Sequence, residues 1–148
     1  MSQSRFQKIL VPLDGSENSF RALSAACDIA ENCHASIELL YVFLLSKEIP
    51  AYTQINSSYI PDSVFTDAQE NGHSILKEGL KQIPSTIAAH DTLEMGFPAE
   101  KIIEISQKID CDLIIMGSRG LGAIKSIVVG SVSSHVVHHA NCPVMIVR

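Results

Sequence analysis

No run of apolar residues in this 148-residue chain approaches the roughly 18–20 that a membrane-crossing helix needs. The opening stretch, Met1-Ser2-Gln3-Ser4-Arg5-Phe6-Gln7-Lys8, also lacks the hydrophobic segment of a secretory signal, so the sequence predicts a cytoplasmic protein with no membrane partner. Basic charge is in deficit: 11 Lys+Arg against 16 Asp+Glu leave a net charge of −5. That balance offers no positive field to a phosphate backbone and argues against nucleic acid as a general partner. A local anion site stays open, because backbone amides donate hydrogen bonds without formal charge. Cysteine is sparse, and Cys27, Cys33, Cys111 and Cys142 form no Cys-x-x-Cys pair. Most stand beside apolar residues, so plain burial as small hydrophobes is expected before zinc or redox chemistry. With only 8 Gly and 6 Pro, collagen-like repetition and disorder are excluded.

What remains is 46% hydrophobic and 18% charged, the composition of one ordinary globular domain spanning 1–148. A chain of this size buries roughly 68–70% of the surface its unfolded form exposes, enough for a full core without disulfides or metal. Lys8-Ile9-Leu10-Val11-Pro12-Leu13 is a nearly continuous apolar run ending at Asp14-Gly15-Ser16, as in a buried central strand that meets a helix. Pro12 must then lie near the strand's end, where its missing N–H does little harm. From Asn18 onward Phe20, Leu23, Cys27 and Ala30 make one helical stripe, and Ser36-Ile37-Glu38-Leu39-Leu40-Tyr41-Val42 follows as a second strand. Strand, helix, strand with short joints is a parallel βαβ unit.

The stretch from Leu45 to Asp62 is polar, carries Pro50 and Pro61 and shows no period, so it reads as a long loop. Loops of that length inside compact domains are uncommon and often functional. Ala68, Ile75, Leu76, Leu80 and Ile83 mark a helix closed by Pro84. A strand at Ala89–Met95 leads through Gly96-Phe97 to a helix opened by Pro98, with Ala99, Ile102, Ile103, Ser106 and Ile109 inward. Leu113–Met116 is a further buried strand, followed by a glycine-bearing loop, a helix starting near Ser131 and a last strand, Val144–Val147. The pattern predicts a single α/β domain with about five mostly parallel strands between helices.

In such sheets ligands bind outside the carboxyl ends of the strands, where the winding reverses. After the fourth strand stands Gly117, two residues, Gly120, nine residues, Gly130 and then Ser131 at the head of a helix. Gly117 and Gly120 are expected to let backbone pass close to a ligand in conformations that a Cβ would penalise. The first amides of the helix at Gly130-Ser131 have no internal partner, and with the dipole they favour a phosphate. The dipole itself contributes only about 0.3–1 kcal/mol at an exposed site, so several amide hydrogen bonds must supply the rest. Asp14 is a candidate ligand contact or a helix N-cap, and Ser131 a candidate for both tasks at once.

This spacing resembles the universal stress protein family, whose ATP-binding members carry Gly-x-x-Gly, nine residues, Gly-Ser/Thr after the fourth strand. Ile9–Ser16, Cys111–Ser118 and Asn141–Val147 are similar to the family's first, fourth and closing strand segments. The resemblance implies an open doubly wound parallel sheet of order 3-2-1-4-5, Rossmann-like and akin to the adenine nucleotide alpha hydrolases, with ATP, ADP or AMP as ligand, with or without Mg2+. By position it implies that Asp14, Pro12 and Leu13 meet the adenosine, that Val42 offers main-chain groups to adenine, and that Met116 and Gly117 line the ribose side. Gly120, Gly130, Ser131, Val132 and Ser133 would hold the phosphates. It further implies a homodimer through Val144–Val147; an apolar edge strand gains from such cover.

The leading reading is therefore a nucleotide-binding stress-response module. The alternative is a slow ATPase or phosphotransferase using the same pocket, although the sequence offers no Gly-x-x-x-x-Gly-Lys-Ser/Thr loop and no obvious base. A receiver domain would need an Asp after the third strand, where Gly96-Phe97-Pro98 stands instead. A flavodoxin-like site would put its phosphate loop after the first strand, where Asp14 and Glu17 place acids, and an ATP-pyrophosphatase would need Ser-Gly-Gly there. His135 and His139 are one turn apart, but no His-Glu-x-x-His pattern accompanies them and no metal site is expected.

Overall fold

The computed structural model describes residues 5–43, 62–120 and 129–148. Five strands, β1 (Lys8–Pro12), β2 (Ser36–Phe43), β3 (Ala89–Met95), β4 (Leu113–Gly117) and β5 (Val144–Val147), form one sheet in the order β3-β2-β1-β4-β5. All four pairings are parallel. Helices α1 (Glu17–Cys33), α2 (Asp62–Gln82), α3 (Pro98–Lys108) and α4 (Ser131–His139) connect them.

Alternation along the strands divides the core in two. Ile9, Val11, Ile37, Leu39, Leu113 and Ile115 face one way and meet α1 through Ala22, Leu23 and Ala26 and α2 through Leu76. Leu10, Leu40, Ile114 and Met116 face the other way, against Ile102 and Ile105 of α3 and Val136 of α4. Both faces being covered explains why β1 and β4 read as unbroken apolar runs. Each fully buried Leu or Ile contributes about 1.5–3 kcal/mol relative to exposure. On α3 the inward stripe is set by Ile102, Ile105 and Ser106, whereas the expected Ile103 is only half-buried. Pro98 sits in the first turn of that helix, as expected.

Pro12 ends β1, beyond the central ladder positions where its ring would cost a hydrogen bond. Register places Pro12 opposite Leu40 and Leu10 opposite Ile114. Continuing it brings Met116 level with Pro12, and Val42 level with Asp14. The carboxyl ends of β1, β2 and β4 thus open at one rim, and the order reverses between β1 and β4. At the opposite rim the chain is tied down by side chains: the Gln7 and Lys8 amides both donate to Asp112 Oδ2 at 2.8 Å, and Lys8 Nζ donates to the Ile109 carbonyl at 2.8 Å. The expected loop from Leu45 lies outside the described residues, except that Asp62 belongs to α2.

Candidate functional site

The β1 end builds the first wall of the crevice. The Leu13 amide donates to the Leu40 carbonyl at 2.8 Å, extending the ladder one residue, while its side chain is buried in the core. The chain then turns at Gly15, whose φ of +86° lies in the left-handed region that glycine tolerates best. Asp14 Oδ1 accepts hydrogen bonds from the Ser16 amide at 2.9 Å and the Ser16 hydroxyl at 2.5 Å. Ser16 in turn accepts from the Ser19 amide at 3.2 Å and is the N-cap of α1. Asp14 is therefore not the cap; it braces the residue that is.

The β4 end builds the second wall. Met116 is buried and pairs with Ile146, and Gly117 pairs with Val147, so both bring main chain rather than side chain to the rim. Neither Gly117 nor Gly120 adopts a positive φ. The expectation that they supply unusual conformations is corrected: what they supply is room. A Cβ on Gly117 would lie 2.9 Å from the Asn18 carbonyl carbon at the start of α1, and one on Gly120 would collide with Asp14 Oδ2. Gly120 thus brings the β4 segment directly against the β1 wall. Residues 121–128, including Lys125, lie outside the described residues.

The helix start closes the third side. The Gly130 amide donates to the Ser118 carbonyl at 2.6 Å, and the Ser133 hydroxyl donates to the same oxygen at 2.8 Å. Ser133 is 2% exposed, so its hydroxyl, expected to meet phosphate, is committed to fixing α4 against the end of β4. Gly130 is the N-cap and makes no side-chain cap bond, and no acidic residue stands in the first turn. Ser131 is the first helical residue and exposed, not the cap that its identity suggested, while the Val132 side chain leans on the core. What α4 presents to the rim is the amides of Ser131, Val132 and Ser133 and the hydroxyl of Ser131.

The structure thus brings Pro12, Leu13, Asp14, Met116, Gly117, Gly120 and Gly130–Ser133 to the carboxyl-end rim of the sheet between β1 and β4, with Val42 at the same rim on β2. Sequence reasoning missed Ser16, Asn18 and Ser118, which position the walls. Asn18 backs Gly117 and Ser118 supplies the carbonyl that holds α4. A groove of about 640 Å³ between α1 and α2 is lined by Gly15, Phe20, Lys77 and Lys81 among others and shares only Asp14 with the residues gathered at the rim. At the far end of α4 the His135 and His139 rings stack with centroids 4.1 Å apart, and His139 Nδ1 lies 2.9 Å from the His135 carbonyl. No group of three or more metal-ligating side chains occurs among the described residues.

Comparison with known proteins agrees with this architecture. The model of the universal stress protein family matches residues 5–148. Universal stress protein YxiE of Bacillus subtilis is 33% identical over 153 residues, covering 97% of this chain and 99% of its own. The structure of universal stress protein UspA from Lactobacillus plantarum superposes with a TM-score of 0.76 at 28% identity, over 97% of this chain and 99% of that one. A universal stress protein solved in complex with cAMP, 24% identical, has the same fold with a TM-score of 0.74 over 98% of this chain and 99% of its own. The chain belongs to the universal stress protein family.

Proposed function

We propose that this protein binds an adenine nucleotide in the crevice between β1 and β4 and acts as a nucleotide-dependent regulatory module. The observation that carries the reading is the start of α4. It is pinned to β4 by two hydrogen bonds to the Ser118 carbonyl, has glycine at its N-cap, and has no carboxylate in its first turn. Amides fixed in that way, with the positive end of the helix dipole behind them, accept an anionic group without reorganisation. The phosphates would lie on the amides of Ser131, Val132 and Ser133. The nucleoside would extend toward Pro12, Asp14 and Val42, and Asp14 has the acceptor chemistry for a ribose hydroxyl or an adenine amino group. The phosphate charge leaves Mg2+ as an optional companion rather than a requirement of the cradle.

The apolar edge strand β5, with Met145 39% exposed, supports a second copy of the chain as partner. Sedimentation equilibrium is expected to give twice the chain mass, and a Met145→Lys variant half of that.

Isothermal titration with AMP, ADP, ATP and cAMP tests the ligand. Saturable binding at one site per chain is expected for at least one of them, weakened when Gly120→Val drives a side chain into Asp14. Absence of heat with all four at millimolar concentration would overturn the reading.

A further inference from the structure

The fold brings together two cysteines that the sequence keeps 31 residues apart. Cys111 precedes β4 and Cys142 precedes β5, at the rim remote from the crevice, and their sulfurs are 3.8 Å apart. The strands they lead into are adjacent, joined there by the Ile114 amide donating to the Pro143 carbonyl at 3.0 Å. Cys111 is buried, whereas Cys142 is half-buried, so one member of the pair meets solvent and the other is screened behind it. That is the arrangement of an oxidisable thiol with a resolving thiol in contact.

We propose that Cys111 and Cys142 form a redox modification site, in which hydrogen peroxide oxidises Cys142 and Cys111 converts the product to an intramolecular disulfide. In the first step the Cys142 thiolate attacks one peroxide oxygen. The O–O bond breaks, the departing hydroxide takes up a proton as water, and a sulfenic acid remains. In the second, the Cys111 sulfur attacks the Cys142 sulfur, the S–O bond breaks, and hydroxide leaves with the Cys111 proton as a second water. Two electrons pass from the thiol pair to the peroxide.

Burial first, and the neighbouring Cys142 second, push the Cys111 thiol up to about 12, which keeps it protonated and fits it to the resolving rather than the attacking role. The sulfurs must close from 3.8 Å to about 2.05 Å, and the bond then ties together the two ends of the segment holding β4, the glycine loop and α4. Cys27 and Cys33 serve as internal controls. Cys27 is buried, with its thiol raised chiefly by that burial, and both belong to α1. The inference is independent of nucleotide binding.

The test exposes the reduced, full-length protein to hydrogen peroxide, alkylates the remaining thiols and maps the peptides. Two of the four thiols are expected to disappear, with an intact mass lower by two hydrogens before alkylation, a Cys111–Cys142 cross-linked peptide, and full reversal by dithiothreitol. In Cys111→Ser the reaction should halt at Cys142, where dimedone captures the sulfenic acid. Retention of all four thiols under peroxide that oxidises free cysteine would overturn the proposal, as would cross-links through Cys27 or Cys33 or between chains. The wild-type peptide map decides the matter even if a variant fails to fold.

Discussion

Helices α1 and α4 both begin at the carboxyl ends of the parallel strands, on two sides of one crevice, and they treat their first amides in opposite ways. At α1 the Ser16 hydroxyl oxygen accepts from the Ser19 amide, Glu17 stands in the first turn, and Asp14 braces Ser16 from behind. That terminus has a side-chain acceptor on its Ser19 amide and carries Asp14 and Glu17 beside it. At α4 the cap is Gly130, which brings no side-chain acceptor, and the bonds that fix the helix start run from the Gly130 amide and the Ser133 hydroxyl to the Ser118 carbonyl. The difference is the reason for proposing α4 as the anion site: the dipole is common to both helices, but of the two only α4 has no carboxylate in its first turn and no side-chain cap.

The first way to break this comparison is to remove the contact that sets the two helices side by side. Gly117→Val would place side-chain atoms against the Asn18 backbone, which cannot yield as a flexible side chain does. A loss of about 1–3 kcal/mol of stability or more is expected, read as a lower urea midpoint at unchanged m-value. The second makes α4 resemble α1. In Gly130→Asp a carboxylate caps the helix and repels phosphate, so nucleotide affinity should fall roughly tenfold or more, each tenfold being about 1.4 kcal/mol. Stability should change far less than affinity, which separates the two effects in paired titration and melting experiments.

A smaller effect comes from Ser133→Ala, which deletes the buried hydroxyl that donates to the Ser118 carbonyl. That carbonyl keeps its bond from the Gly130 amide, so about 1 kcal/mol of stability should be lost, together with faster amide exchange in the first turn of α4. Similar in stability but smallest in its effect on binding is Ser16→Ala. Loss of the α1 cap should cost about 1 kcal/mol and lower Tm, with little change in nucleotide affinity if, as proposed, the phosphates lie on α4.

Most of the fold was legible because the strands bury both faces: Ile9–Val11 and Leu113–Met116 are apolar runs that few other elements produce. β3, with His90 and Asp91 exposed at the sheet edge, is the weakest strand signal in the sequence, because only one of its faces is covered and its apolar pattern is broken. The crevice was legible as a spacing of glycines but not as a reason for them. Gly117 and Gly120 need small size because Asn18 and Asp14 occupy the space beside them, and only tertiary contact reveals that. Likewise Asp14 and Ser16 are both capping residues; the extended conformation of Ser16, φ −73° and ψ 156°, selects it, and no local pattern does. The Cys111–Cys142 contact was invisible for the same reason, since it depends on the order in which β4 and β5 pair.

Amide chemical shifts followed during a titration of labelled protein with ATP test the central asymmetry most directly. The resonances of Ser131, Val132 and Ser133 should move furthest and saturate together, while those of Glu17, Asn18 and Ser19 at the start of α1 move less. Shifts largest at α1, or none at α4 under saturating ligand, would contradict the account.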